Sequence, residues 1–114
     1  MRKIDDLAFM KHILDSIEAI ESFSKDLNLT LLHSNRLKQS AIVRELEIIG
    51  EATKNISPLI KKKYPKIEWK KIAGTRDKMV HHYFGVDLNI VWVIVKKDIP
   101  VLKKQIQEIK DELE

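Results

Sequence analysis

The sequence predicts an all-α protein, an up-and-down four-helix bundle with one short extra helix, and three observations predict it. Apolar residues recur at three- and four-residue spacing over long stretches, the repeat that lines one face of an α-helix. Glycine and proline number only three each in 114 residues, which suits an ordered, helix-rich chain. The one strand-like run, residues 90–95, has no partner strand elsewhere in the chain.

The first helix is expected over residues 4–23, where Ile4, Leu7, Met10, Ile13, Leu14, Ile17 and Ile20 form one stripe. Residues 28–35, polar and bounded by Asn28 and Asn35, read as a break. A second helix follows, with Leu37, Val43, Leu46, Ile49 and Ile56 on one face. It ends at Ser57-Pro58, because the residue before a proline disfavours helical backbone. Residues 59–65 suit the short extra turn. Trp69, Ile72, Ala73, Met79 and Val80 mark a third helix closing near His82 or Tyr83, and Gly85 breaks the pattern. Asp87 then caps a fourth helix whose apolar positions are Leu88, Val91, Val95, Ile99, Leu102, Ile106, Ile109 and Leu113. Residues 90–95 within it are β-branched and apolar all round. They are expected to be helix covered on two sides, including by a second subunit. Pro100, lacking an N–H, is expected to kink this helix near Lys96.

A chain of this length makes one compact domain, residues 1–114. With 44% apolar and 33% charged residues it is neither disordered nor fibrous, and it should bury a core. The absence of cysteine excludes disulfides and thiolate metal sites and fits a reducing cytosol. No signal-peptide core precedes residue 10, and no run approaches the roughly 20 apolar residues of a membrane span. A cytoplasmic protein with no membrane partner is expected. The net charge of +4 and pI of about 9.3 favour polyanionic partners.

The densest polar cluster is Arg76-Asp77-Lys78-Met79-Val80-His81-His82-Tyr83. An arginine, four residues, a histidine, one residue and a tyrosine suit cleavage of an RNA phosphodiester. Arg76, always protonated and planar, can grip a phosphate bidentately and offset the charge that builds on it. Histidine as a residue type ordinarily changes charge near neutral pH, so one at position 81 can take the proton from a 2′-hydroxyl or give one to a leaving 5′-oxygen without a metal. On an unbroken helix five residues turn through about 500°, which would point His81 about 140° away from Arg76. Arg76 must then reach around, the helix must unwind near Tyr83, or a symmetry mate must supply the second Arg and His across a twofold cleft. The homodimer is favoured, because it provides two imidazoles, one as base and one as acid. As a bare spacing, the same residues also suit a helix end where an imidazolium meets the dipole and Arg76 and Asp77 are solvated.

From about Arg44 to Leu102 the chain resembles the HepT-type family of HEPN domains, also known as DUF86. The residues carrying the resemblance are Arg44, Ile49-Gly50-Glu51-Ala52, Tyr64-Pro65, Trp69, Ile72, Gly74, the block from Arg76 to Tyr83, Asp87, Trp92 and Pro100. The resemblance implies a metal-independent endoribonuclease toxin acting as a homodimer, with Arg76 and His81 as catalytic pair and no cofactor of its own. It also implies a type VII-like toxin–antitoxin pair. The partner would be an MntA-like nucleotidyltransferase antitoxin that uses ATP to add AMP units to Tyr83. Asp77 departs from the asparagine common at its position. It places a negative charge beside the phosphate site, where it could orient Arg76, hold a protonated His81 or repel RNA.

Gly50 and Gly74 fall in predicted helices at a cost of about 1 kcal/mol each, which points to close helix approach, or for Gly74 to room for RNA. Glu47 and Glu51, one turn apart, can reach Arg76 or Arg44 as a salt bridge. The basic residues 61–66, followed by Lys70 and Lys71, lead into the motif. Lys70, Lys71 and Lys78 are the candidate RNA-backbone contacts, a solvated face being the plainer reading. Tyr64 and Trp69 suit packing, and the isolated His12 and His33 receive no ligand role. Two other functions fit the same chain: a non-catalytic HEPN subunit that binds nucleotide or partner in a nucleotidyltransferase complex, and a dimerisation scaffold.

Overall fold

The structure, a computed structural model, describes residues 3–81 and 85–114, with the backbone alone for residues 3, 4 and 81. The core position expected for Ile4 lies outside the described side chains. The order of elements is α1 (Lys3–Ser24), α2 (Leu29–Ser34), α3 (Arg36–Lys54), α4 (Pro58–Lys63), α5 (Trp69–Ala73), α6 (Thr75–Met79), β1 (Val80–His81), β2 (Gly85–Val86), α7 (Leu88–Val93), a π-helical turn (Ile94–Asp98) and α8 (Ile99–Leu113). This is an all-α bundle with a two-residue antiparallel ladder attached. Among the described residues no helix is long and apolar enough to cross a membrane.

Helix α1 is the central rod. Met10, Ile13, Ile17 and Ile20, spaced three and four apart, are wholly buried. Each such side chain is worth about 1.5–3 kcal/mol of transfer free energy. They pack chiefly against α3, through Ile42, Leu46 and Ile49, and then against α8, through Leu102, Ile106 and Ile109. Three cross-links fix the directions. Asp6, near the start of α1, accepts bonds from the Ser57 N–H at 2.8 Å and Oγ–H at 2.7 Å just beyond the end of α3. Lys103 of α8 meets Glu21 near the end of α1 at 3.0 Å, while Glu112 reaches back to Lys63 of α4 at 3.3 Å. Both α3 and α8 therefore run antiparallel to α1.

The polar segment expected as a break contains α2. Asn28 and Asn35 act as successive N-caps, accepting from the Leu31 N–H at 2.8 Å and the Lys38 N–H at 3.0 Å. Gln39 also donates to the Leu32 carbonyl at 2.9 Å, satisfying a helix end. Leu37, expected on the buried face of the second helix, lies in the first turn of α3 and is 79% exposed. The buried face of α3 begins at Ile42 instead, and Ala52 near the other end of the helix adds to it.

The expected third helix is two single turns and a hairpin. It breaks at Gly74, which joins α5 to α6 rather than lying inside a helix. It ends at Met79 because Val80 is extended, with φ −99° and ψ 124°. Val80 pairs with Val86 and His81 with Gly85, and the Asp87 N–H donates to the Met79 carbonyl at 2.7 Å. Gly85 has φ +76°, the left-handed backbone that a side chain disfavours. The apolar run 90–95 is helical as expected, with Val91, Ile94 and Val95 buried and Val93 half exposed. Pro100 sits in the first turn of α8. Its missing N–H frees the carbonyl one turn earlier, and the widened π turn lies there, around Lys96.

Candidate functional site

Arg76 is the second residue of α6, with its side chain 73% exposed. Its only ion pair among the described residues is with Glu47 of α3, Nε to Oε2 at 3.8 Å. At that length the carboxylate orients the guanidinium weakly, and most of its five N–H donors remain for an anion. Of the two glutamates expected near it, Glu47 reaches Arg76, whereas Glu51 pairs with Lys54 at 3.1 Å.

At Gly50 the backbone of α5, which leads into α6, lies close on α3. A Cβ built on Gly50 would touch the Ala73 and Ile72 carbonyl oxygens of α5, each at 3.5 Å. At that distance a methyl group would make ordinary contact, so α5 lies close on α3 at a position where a small residue suffices. Between α1, α3 and the α5–α6 wall runs a groove of about 420 Å³, lined by His12, Arg44, Glu47, Gly50, Glu51 and Arg76 among others.

The other proposed contacts are divided. Lys71 and Lys78 line a separate cleft of about 220 Å³, with an apolar floor of Leu46, Ile49, Ile94 and Leu102. Lys71 is paired with Glu68 at 3.8 Å, and Lys70 is exposed on α5. Asp77 is exposed and has no ion pair among the described residues, so Glu47 rather than Asp77 is the carboxylate on Arg76.

His81 lies in β1, where its backbone pairs with Gly85. The helical-wheel separation of Arg76 and His81 does not apply, because the chain leaves the helix after Met79. Unwinding, one of the three geometries expected, begins earlier than Tyr83. The positions of His82 and Tyr83 lie outside the described residues. Among the described residues no three His, Asp or Glu side chains are gathered as a metal site.

Sequence reasoning passed over His12. The signal lies in the register of α1 on α3. Asp6 faces Ser57 in an antiparallel pair, so six residues further along α1 falls beside the stretch around Glu51. That register requires the tertiary contact.

Comparison with known proteins places these observations in a family. The model described as ribonuclease HepT-like matches residues 13–109. The full chain is 46% identical to a Methanocaldococcus jannaschii protein named "Gamma-glutamylcyclotransferase and putative RNase", of which it spans 51%. It is 43% identical over its whole length to a "Putative RNase" of the same organism, covering 98% of that protein. Over 102 residues, 90% of this chain and 93% of the relative, it is 40% identical to a "Probable ribonuclease HepT" of Thermococcus cleftensis. The chain thus spans about half of the first relative and nearly all of the others. No solved structure matches it.

Proposed function

This chain belongs to the HepT-like ribonuclease family, and on that premise we propose that it is a metal-independent endoribonuclease using Arg76 and His81. The observation that carries the reading is Arg76 itself. It is an exposed guanidinium at the edge of a groove, held by one loose carboxylate contact, and followed by a chain that turns out of the helix before the histidine.

In the proposed reaction a 2′-hydroxyl of RNA gives its proton to an imidazole as its oxygen attacks the adjacent phosphorus. The P–O5′ bond breaks, and the leaving 5′-oxygen takes a proton from a second imidazole. The products are a 2′,3′-cyclic phosphate and a 5′-hydroxyl. Arg76 stabilises the charge on the non-bridging oxygens. A homodimer supplies the two imidazoles, one His81 from each protomer.

The biological setting proposed with it is a toxin restrained by an MntA-like nucleotidyltransferase that spends ATP to add AMP to Tyr83. An adenylate there would add negative charge two residues from His81 and oppose RNA binding.

The test is incubation of RNA in EDTA with wild type, Arg76→Ala and His81→Ala, each shown to be folded by circular dichroism. Cleavage by wild type and its loss in both variants is expected. Equal cleavage by the variants would remove these residues from the chemistry. No cleavage by folded, unmodified wild type would favour the non-catalytic partner-binding subunit.

A further inference from the structure

Of the three clefts that the described residues form around α6, Arg76 lines one. That groove encloses about 420 Å³, while the neighbouring clefts enclose about 220 and 210 Å³. Only the first falls within the roughly 300–1,000 Å³ of sites that enclose a small ligand. The groove also holds a cation that its acids leave unmatched. Lys54 is paired with Glu51, and Arg76 meets Glu47. Arg44 is exposed on the same wall with no ion pair among the described residues. Arg44, Glu47 and Glu51 are spaced three and four apart, so Arg44 lies one turn along the same face of α3 as the partner of Arg76.

On the opposite wall stands His12, exposed and set edge-on to Phe9 with ring centroids 6.2 Å apart. An exposed imidazole backed by a phenyl ring offers a flat surface on which a base can stack, and such stacking tolerates any base. One groove therefore gathers two guanidinium groups, from α3 and α6, and an aromatic ring from α1. These are the two recognition elements of a single-stranded nucleotide.

We propose that this groove seats the nucleotide of single-stranded RNA next to the scissile phosphate, with Arg44 holding its phosphate and His12, supported by Phe9, stacking on its base. The assignment rests on the ribonuclease reading for the position of the scissile phosphate. It adds a binding site on α1 and α3 that the Arg76–His81 pair does not contain.

The experiment is fluorescence anisotropy with a short fluorescein-labelled RNA, 2′-O-methylated throughout so that it cannot be cleaved, titrated at several salt concentrations. The proteins are wild type, Arg44→Ala, His12→Ala and Lys104→Ala, the last an equal change of charge on an exposed residue of α8 outside the groove. Arg44→Ala should weaken binding about tenfold and reduce the slope of log K against log salt by about 0.7, one phosphate contact on a single strand. His12→Ala should weaken binding several-fold with little change in slope, and Lys104→Ala should bind as wild type. Binding that is absent in wild type, unchanged in Arg44→Ala, or weakened as much by Lys104→Ala overturns the proposal. Cleavage of unmodified RNA, measured in parallel, separates it from its premise. A wild type that cleaves but binds independently of Arg44 loses the groove and keeps the nuclease. Arg44-dependent binding without cleavage does the reverse.

Discussion

Arg76 and Asp6 are both charged residues that meet one partner, and burial gives them opposite roles. Arg76 is mostly in water, so its contact with Glu47 contributes little to stability and leaves the guanidinium available. Arg76→Ala should leave the melting temperature nearly unchanged while lowering RNA cleavage by roughly 10²–10³, the usual loss for one transition-state donor. Arg76→Lys should recover only part, since a point charge replaces a planar fork. Asp6 is 2% exposed and bonded to both the N–H and the hydroxyl of Ser57, whose Oγ in turn caps α4 by accepting from the Ile60 N–H. Asp6→Ala would strip two buried donors of a charged acceptor. Urea unfolding should show a loss of about 2–3 kcal/mol, with the groove residues untouched.

At the scale of elements, the contact of α3 with α5 positions Arg76, and Gly50 controls it. The space above Gly50 admits a methyl group in ordinary contact and nothing larger without displacement. Gly50→Ala should therefore keep activity and gain up to about 1 kcal/mol of helix propensity, whereas Gly50→Val should push α5 and α6 away and lower both stability and cleavage. Thermal melts and the cleavage assay on the same preparations check both signs. Helices α1, α3 and α8 were legible in the sequence because burial on one side imposes a three-and-four apolar repeat. Pro100 signalled a distortion near Lys96, expected as a kink and found as a π turn. The hairpin was not legible, because Met79 and Val80 continue the apolar rhythm of α5 and α6 while only backbone pairing with Val86 turns the chain. The two caps of α2 carried a local signal in Asn28 and Asn35 that read as a break. In the site, the Arg76–Glu47 contact followed from residue chemistry, while the approach of His12 depended on the register between two helices that no local pattern encodes.

The whole molecule exposes Val93 and Val101 on neighbouring clefts that share Lys78 and Ile94 as a common wall. The hairpin carrying His81 begins two residues after Lys78, so a second copy seated on this strip would bring two motifs together. If the proposed homodimer forms here, wild type should be dimeric by light scattering and Val93→Asp a folded monomer that loses cleavage; a dimeric Val93→Asp would place the interface elsewhere, and a monomeric wild type that cleaves would remove the dimer from the mechanism. With the proposed nucleotidyltransferase partner and ATP, wild type should gain the mass of AMP units and Tyr83→Phe should not. In the proposed reaction RNA itself supplies the nucleophile to Arg76 and His81, and the chemistry of the product ends formed in EDTA reports on this directly. Fragments ending in 2′,3′-cyclic phosphate and beginning with 5′-hydroxyl, with no cut at a 2′-deoxy position, are predicted. Fragments with 3′-hydroxyl and 5′-phosphate ends, or cleavage that EDTA abolishes, would contradict it.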